Sequence, residues 1–343
     1  MPVASRRGHS GAWSVPNRGA GTSVGSALRK EIVSASQSEI PKTVTPPPPS
    51  RRTQRAALFV ACRPRQWVKN VLVLAAPFAA GEFSEPDVLA AVAVALVSFS
   101  FAASGIYLIN DVLDVNEDRR HPVKCLRPVA AGELSPRAAV TAGIALLALA
   151  PALGAAASWQ LVVVIVAYET LSVAYSLHLK HEPVLDIAVV ASGFLFRAMA
   201  GGLAAGIALS QWFLLVASFG ALFMVAGKRY SELKVASSDP NTSPGEMRRS
   251  LQRYSASYLR FVWGMSASVT VTSYSLWAFE IRANDNAPWA AISIVPFVVG
   301  LLRYAVDVDS GQAGEPEDII LRDRVLQGLG LIWIVLLTLS VAS

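Results

Sequence analysis

Residues 88–109 read VLAAVAVALVSFSFAASGIYLI without a single charge, and residues 110–118 follow at once as NDVLDVNED. An uncharged run of this length is what a helix needs to cross a hydrocarbon layer about 30 Å thick. Its abrupt end in acids and amides marks the point where the solvent changes from lipid to water. The same alternation extends outward in both directions, with further apolar blocks near 67–81, 138–157, 159–177, 184–206, 211–227, 258–279, 287–305 and 325–342. Only 16% of the 343 residues are charged and 53% are hydrophobic, whereas a soluble domain carries about a quarter charged residues. The expected fold is therefore all-α, a polytopic membrane bundle of nine transmembrane helices around a central, cytoplasm-facing cavity. Block 67–81 is the shortest and contains Pro77. It reaches spanning length only if its helix starts near Leu58 and continues through Arg63-Pro64-Arg65.

The loops set the orientation. Of the 30 Lys and Arg, 28 fall on alternate segments: 1–69, 110–137, 178–183, 228–260 and 303–324. Arg282 stands on the opposite side and Arg197 within a span. Cytoplasmic loops carry the Lys/Arg excess, so the N-terminus is expected in the cytoplasm and the C-terminus outside, in the cell membrane. The net charge of +6 is thus a topological signal, and it forms no aromatic-interleaved groove for nucleic acid. Cys62 and Cys125 have no metal partner nearby and read as reduced thiols.

Residues 1–55 are rich in Ser, Pro and Arg, include Pro46-Pro47-Pro48-Pro49 and show no apolar periodicity. Such a stretch buries too little surface to offset its ordering entropy and is expected to be a disordered basic cytoplasmic tail. It lacks the apolar run of a signal peptide and is expected to stay on the chain. The catalytic unit is then 56–343.

The unusual polar residues gather on the cytoplasmic side. Asn110, Asp114 and Asp118 recur at i, i+4 and i+8, so a helix continued past the second block presents three oxygen ligands on one face. Oxygen ligands without His or Cys suit Mg²⁺, which takes a few carboxylates together with phosphate oxygens and water. Lys124 and Arg127 follow and are suited to gripping an anionic ligand. The bland alternative is a polar loop with ion pairs among Asp118, Arg119 and Arg120. Against it, carboxylates at the apolar end of a span are expensive unless used.

A second element places Glu182 and Asp186 four apart behind Tyr175 and Lys180, with Pro183 suited to a first helical turn. A capped helix start explains it equally well. His178 and His181 are spaced as a metal pair but lack a third ligand, and they read as loop residues or phosphate contacts. Arg197 lies roughly 16 Å along its span from Asp186 at 1.5 Å per residue. A mid-membrane Arg normally faces a bundle interior or wet cavity and has an anionic partner. Gly193, Gly201, Gly202 and Gly206 around it permit close helix contact or a widened cavity. Lys228 and Arg229 after the sixth block, and Lys69-Asn70 at the start of the first, complete a basic ring or serve only as topological anchors.

With these residues in place, the sequence resembles the UbiA superfamily of membrane prenyltransferases over about residues 60–343. The match is carried by the Asn110-x-x-x-Asp114-x-x-x-Asp118 motif and by the second acidic motif. The superfamily's second motif is usually Asp-x-x-x-Asp, and here it reads Glu182-x-x-x-Asp186, a departure that bears on any metal role for Glu182. Within the superfamily the chain looks most like the branch of decaprenyl-phosphate phosphoribosyltransferases. Arg63-Pro64-Arg65-Gln66-Trp67-Val68-Lys69-Asn70, the Asn110–Pro128 stretch, Tyr175–Asp186 and Gly227–Glu232 carry that likeness. The resemblance implies transfer of 5-phosphoribose from phosphoribosyl diphosphate to a polyprenyl phosphate, for cell-wall arabinan precursors. It implies Mg²⁺ on Asn110, Asp114 and Asp118, and catalytic work by Asp114, Asp118, Lys124, Arg127 and Asp186. Lys69, Asn70, Tyr175, Lys180, Arg197, Lys228 and Arg229 would bind the phosphates. Membrane lipids are expected neighbours, and a homo-oligomer is compatible with this reading. Two other functions fit the composition: transfer of a prenyl group from a prenyl diphosphate to an aromatic acceptor, and transport of an anion. Charges clustered at one face rather than at the midplane speak against transport.

Overall fold

A computed structural model describes residues 52–238, 251–285, 288–311, 319 and 322–342 of the chain. All regular structure among them is helical. Helix α1 spans Gln54–Ala61, with Thr53 as its cap accepting from the Ala56 N–H. It thus begins inside the stretch expected to be tail, most of which lies outside the described residues. The following segment overturns the expectation of a continuous first span. Arg63 adopts φ 54°, and residues Pro64–Leu74 form a 3-10 helix. Helix α2, Ala75–Ala80, then closes at Gly81 with φ 77°. Pro64 has no N–H to continue α1, and its ring disfavours a helical conformation at Arg63. The segment therefore enters the bundle as a broken element.

The remaining apolar blocks become long helices: α3 Pro86–Leu113, a short α4 Val115–Asp118, α5 Pro136–Gly154, α6 Trp159–Leu177, α7 Leu185–Ala204, α8 Gln211–Ser238, α9 Ala256–Asp285, α10 Trp289–Ser310 and α11 Arg324–Ala342. Among the described residues, six helices (α3, α5, α6, α7, α8 and α10) are long and apolar enough to cross a membrane. Segment Arg324–Ser340 of α11 is a shorter apolar helix. Helix α9 is 30 residues long but rich in Ser and Thr. Its hydroxyls turn back onto the helix: Ser266 Oγ donates to the Val262 carbonyl at 2.7 Å and Thr270 Oγ1 to Ser266 at 2.8 Å. Such back-bonding satisfies each hydroxyl locally, so they sit in apolar surroundings at little cost.

Two apolar clusters meet on α7. One joins the first segment, α3, α6 and α7 around Phe99, Ile165 and Ala200. The other joins α7, α8, α9 and α10 around Phe223, Leu259 and Val308. Small residues set the closeness of the contacts, as expected where lipid supplies no hydrophobic drive between helices. A Cβ at Gly105 of α3 would lie 2.9 Å from the Gly143 carbonyl of α5, and one at Gly201 would lie 1.9 Å from the Val73 carbonyl. Gly201 is what lets the 3-10 segment lie against α7. Trp67 adds a pin from that segment, its Nε1 donating to Ser104 Oγ on α3 at 3.1 Å.

Gly201→Ala should therefore lower the thermal midpoint of the detergent-solubilised protein, by about 1–3 kcal/mol of overpacking. Gly220→Ala, whose Cβ would meet only Thr270 Cγ2 at 3.8 Å, should melt with the parent. Equal melting of both variants would show that Gly201 does not set the α7 contact.

Candidate active site

Helix α3 continues past the uncharged run, through Asn110 and Asp111, as far as Leu113, where Asp114 caps it at φ −94° and ψ 7°. The backbone register nearly survives this joint, since the Asp114 N–H donates to Asn110 at 2.9 Å and the Asp118 N–H to Asp114 at 2.8 Å. The side chains, however, do not form one face. Asn110 Nδ2 donates to Asp114 Oδ2 at 3.0 Å, and Lys180 Nζ donates to Asp114 Oδ1 at 2.5 Å. Asp118, only 3% exposed, turns instead to Arg127 Nη1 at 2.7 Å. The expected array of three ligands is split between two directions.

The second direction belongs to Asp111, which the i, i+4, i+8 reading passes over. Asp111 is 1% exposed. Its Oδ1 accepts from Arg63 Nη2 and, at 3.3 Å, from Arg127 Nη1. Its Oδ2 is buried and has no hydrogen-bond partner among the described residues. The available signal was the seven-residue interval from Asp111 to Asp118, two turns of helix and hence one face. Arg127 joins the two acids on that face. Arg63 also lies over the Tyr107 ring, 4.7 Å from its centroid.

The second motif is tied down at both acids. Glu182 is exposed and pairs with Arg253 at 3.3 Å. Asp186, at the start of α7, is fully buried. Its Oδ2 accepts from Arg229 Nε at 3.3 Å and its Oδ1 from the Tyr254 hydroxyl at 2.5 Å. Arg229 also reaches Glu232 at 2.9 Å. Burial, and then the bond to Asp186, push the Tyr254 phenol above its ordinary value, so it remains a donor at working pH. Lys180 and His181 lie in the 3-10 turn Leu179–His181, and His178 caps α6. Lys124 stands in the 3-10 turn Lys124–Leu126.

Between these networks opens a cavity of about 720 Å³. Arg63, Lys69, Lys228 and Arg229 supply cations to its wall, with Tyr107 and Tyr175 beside them. Apart from Gln66, the rest of the wall is apolar, including Leu72, Val190, Phe194, Val216, Ala221 and Met224. Of the residues expected at the site, the structure brings Lys69, Tyr175, Lys228 and Arg229 to this wall. Asp186 stands behind Arg229 rather than on the wall, and Asp111 stands behind Arg63. Asn110, Asp114, Asp118, Lys124, Arg127 and Lys180 are not part of the wall.

Arg197 departs from expectation. It is 7% exposed, and no carboxylate among the described residues pairs with it. Its Nε donates to Asn70 Oδ1 at 2.8 Å, Nη1 to the Gly193 carbonyl at 2.7 Å and Nη2 to the Tyr168 hydroxyl at 3.0 Å. Its guanidinium also lies 4.9 Å from the Tyr168 ring centroid, an attraction worth about 2 kcal/mol once desolvated. Asn70, 2% exposed, completes the chain by donating to Ser100 Oγ at 3.0 Å. Arg197 and Asn70 thus clamp the broken first segment onto α6 and α7, with the cavity residues Phe194 one helical turn before Arg197 and Ala198 directly after it.

Removing Arg127 should strand the buried Asp118 and leave Asp111 to Arg63, so Arg127→Ala should destabilise the solubilised protein by about 3 kcal/mol. Lys124→Ala should lower turnover, with a loss of stability well short of that of Arg127→Ala. Identical melting of the two variants would exclude Arg127 as the pin between Asp111 and Asp118.

The UbiA prenyltransferase family model matches residues 70–319. The chain is 52% identical over 295 residues to the decaprenyl-phosphate phosphoribosyltransferase of Mycolicibacterium smegmatis, covering 81% of this chain and 90% of that one. It is 49% identical over 291 residues to the enzyme of that name from Corynebacterium glutamicum, covering 83% and 86%. Among solved structures, a UbiA homolog from Archaeoglobus fulgidus bound to DMAPP and Mg²⁺ superposes with a TM-score of 0.64 at 20% identity, covering 83% of this chain and 98% of that one. A fold of this kind, a match over most of the chain and half-identical relatives together place this polytopic membrane protein in the UbiA prenyltransferase family.

Proposed function

We propose that the chain transfers 5-phosphoribose from phosphoribosyl diphosphate to a decaprenyl or similar polyprenyl phosphate, releasing diphosphate. The observation that carries this reading is the cavity wall, cationic from Arg63, Lys69, Lys228 and Arg229 and apolar from Leu72, Phe194, Val216 and Met224. One substrate brings a diphosphate and a sugar phosphate, and the other a phosphate on an isoprenoid chain. A wall of this mixed character accommodates both, and relatives half identical to this chain bear the name of that activity. The soluble donor enters from the cytoplasm, where the Lys and Arg excess places the motif loops.

Mg²⁺ fits the residues present. Among the described residues no three His, Cys, Asp or Glu side chains form a ready cage. Mg²⁺ does not need one, because it keeps water and takes phosphate oxygens alongside one or two carboxylates. The donor set is all hard oxygen, and the buried Asp111 Oδ2 lacks a partner. Asn110 and Asp114, which share one face, would hold the ion, which when bound would supply positive charge against the departing diphosphate, while Asp118 stays on Arg127.

The chain's own residues supply the rest. Lys69, Lys228 and Arg229 hold the phosphates, with Tyr175 beside them, and Lys180 and Arg127 keep the acidic loop in place through Asp114 and Asp118. Lys124 reaches the donor from the loop. Arg197 acts through Asn70 by fixing the segment that carries Lys69. As the ribose C1–O bond to diphosphate breaks, charge accumulates at C1 as in glycosyl transfer generally. An oxygen of the lipid phosphate then forms the new bond to C1. That oxygen is already anionic, so no strong general base is required. Holding two anions together in a low-dielectric cleft is what the cations make affordable.

The test is turnover by the purified full-length protein with labelled phosphoribosyl diphosphate and decaprenyl phosphate, beside a prenyl diphosphate with an aromatic acceptor. Lipid-linked label and released diphosphate are expected from the first pair only. Transfer from the prenyl diphosphate and none from the ribosyl donor would overturn the assignment. Asp114→Asn should lower kcat by about 100-fold or more while the protein still folds. Near-parent activity at limiting Mg²⁺ would remove Asp114 from the metal set.

A further inference from the structure

The second acidic motif departs from the pattern of its family, and its surroundings give that departure a physical meaning. A metal site there would need oxygen atoms that can turn to an ion. Glu182 points to solvent and Arg253, its side chain 59% exposed. Asp186 is fully buried. One of its oxygens faces Arg229 Nε at 3.3 Å and the other the Tyr254 hydroxyl at 2.5 Å. An ion placed on Asp186 would set a second cation against a guanidinium that is itself 3% exposed and leave that guanidinium's charge to Glu232, at 2.9 Å, an expensive arrangement at a buried site.

Tyr254 does more than fill a bond. Its oxygen also accepts from the Val184 N–H at 2.5 Å. Val184 stands at φ 69°, a left-handed conformation that a β-branched residue adopts only under constraint. Among the described residues, the other non-glycine with positive φ is Arg63. Both lie at a buried carboxylate with a cavity arginine in front of it: Arg63 on Asp111, and Val184 two residues before Asp186. Strain of this kind persists only where the surroundings over-determine it, and it gathers at sites that need fixed geometry. Residues Arg253 and Tyr254 together grip both acids of the motif, Glu182 and Asp186.

We infer that the second acidic motif of this chain is a mount for Arg229 and not a second metal site. Tyr254 aims Asp186, Asp186 fixes Arg229, and the guanidinium presents to a substrate phosphate the charge that a second cation would otherwise supply. An arginine suits this task because it is always charged and its planar fork matches phosphate oxygens. Tyr254 and Asp186 are positioning residues in this scheme, since neither is on the cavity wall. The nature of the ligand rests on the function proposed above, whereas the mount itself rests on the geometry.

The experiment compares the full-length parent with Tyr254→Phe, Glu182→Gln and Arg229→Lys. It measures donor saturation, Mg²⁺ saturation, calorimetric affinity for inorganic diphosphate, and the number of Mn²⁺ ions bound by electron paramagnetic resonance. Tyr254→Phe should raise the KM for phosphoribosyl diphosphate about tenfold, with kcat within about twofold and the Mg²⁺ midpoint unmoved. Arg229→Lys should do the same through loss of the fork, which keeps the test open should Tyr254→Phe fold poorly. Glu182→Gln should match the parent in every measurement. A hydroxyl that only stabilised the fold would lower the melting point and leave KM untouched, and that result would overturn the proposal. Loss of one bound Mn²⁺, or a Mg²⁺ midpoint raised more than about threefold in Glu182→Gln or Tyr254→Phe, would also overturn it. If the parent fails to turn over phosphoribosyl diphosphate, the proposed function falls, but inorganic diphosphate still decides the mount. Weaker binding in Tyr254→Phe and Arg229→Lys supports it, and unchanged binding refutes it.

Discussion

A carboxylate at the end of an apolar helix cannot be left without a cation, because an isolated charge in low dielectric is among the most expensive things a protein can bury. Asp111 meets this requirement through two arginines far from it in sequence, Arg63 before α3 and Arg127 beyond it. Much of the site's geometry follows. Arg63 must come back to α3, which the chain achieves by breaking after α1 and running as a 3-10 helix along α3 and α7. Arg127 must fold back over the end of α3, which closes the loop around Asp118. The same rule acts on α7, where Asp186 draws Arg229 from the far end of α8. Each buried acid thus ties two or three distant elements to one end of the bundle.

Arg197 obeys the rule in another way. Its charge is met by two oxygens, a hydroxyl and ring faces rather than by an acid. Neutral dipoles and π-faces hold a buried guanidinium less tightly than a carboxylate does, but they leave its charge partly uncancelled. That residual field lies one helical turn from Phe194 and next to Ala198 of the cavity wall. In a medium of low dielectric it acts over several ångströms on any anion placed there.

The long helices were legible in the sequence because a membrane span is encoded by the length and purity of an apolar run, and α3, α5, α6, α7, α8 and α10 have both. The first segment was misjudged because one local conformation, Arg63 at φ 54° ahead of Pro64, outweighs hydropathy over fifteen residues. At the site, residue types were legible and pairings were not. Asn110 and Asp114 fell on one face as their spacing requires. Asp118 left that face because it shares the seven-residue interval with Asp111, and a cation from outside the helix chose between the two directions. Tyr254 could not be found at all from sequence. It stands in a loop with no periodic neighbours, and its significance comes only from the carboxylate and the strained Val184 folded against it.

What the two buried acids accomplish together is preorganisation. A lysine carries a compact charge on a long flexible stem, and fixing that stem against an anion costs rotamer entropy. Arg63 and Arg229 have their guanidinium groups turned by Asp111, and by Asp186 with Glu232, before any ligand is present. Donors fixed in advance contribute most to reactions in which charge develops on a leaving group, because they need no reorganisation as the bond breaks. The carboxylate behind such an arginine offsets part of its field, which keeps an anionic ligand from binding too tightly to leave. Arginines on buried mounts therefore define where phosphates sit, through a planar fork that a lysine lacks.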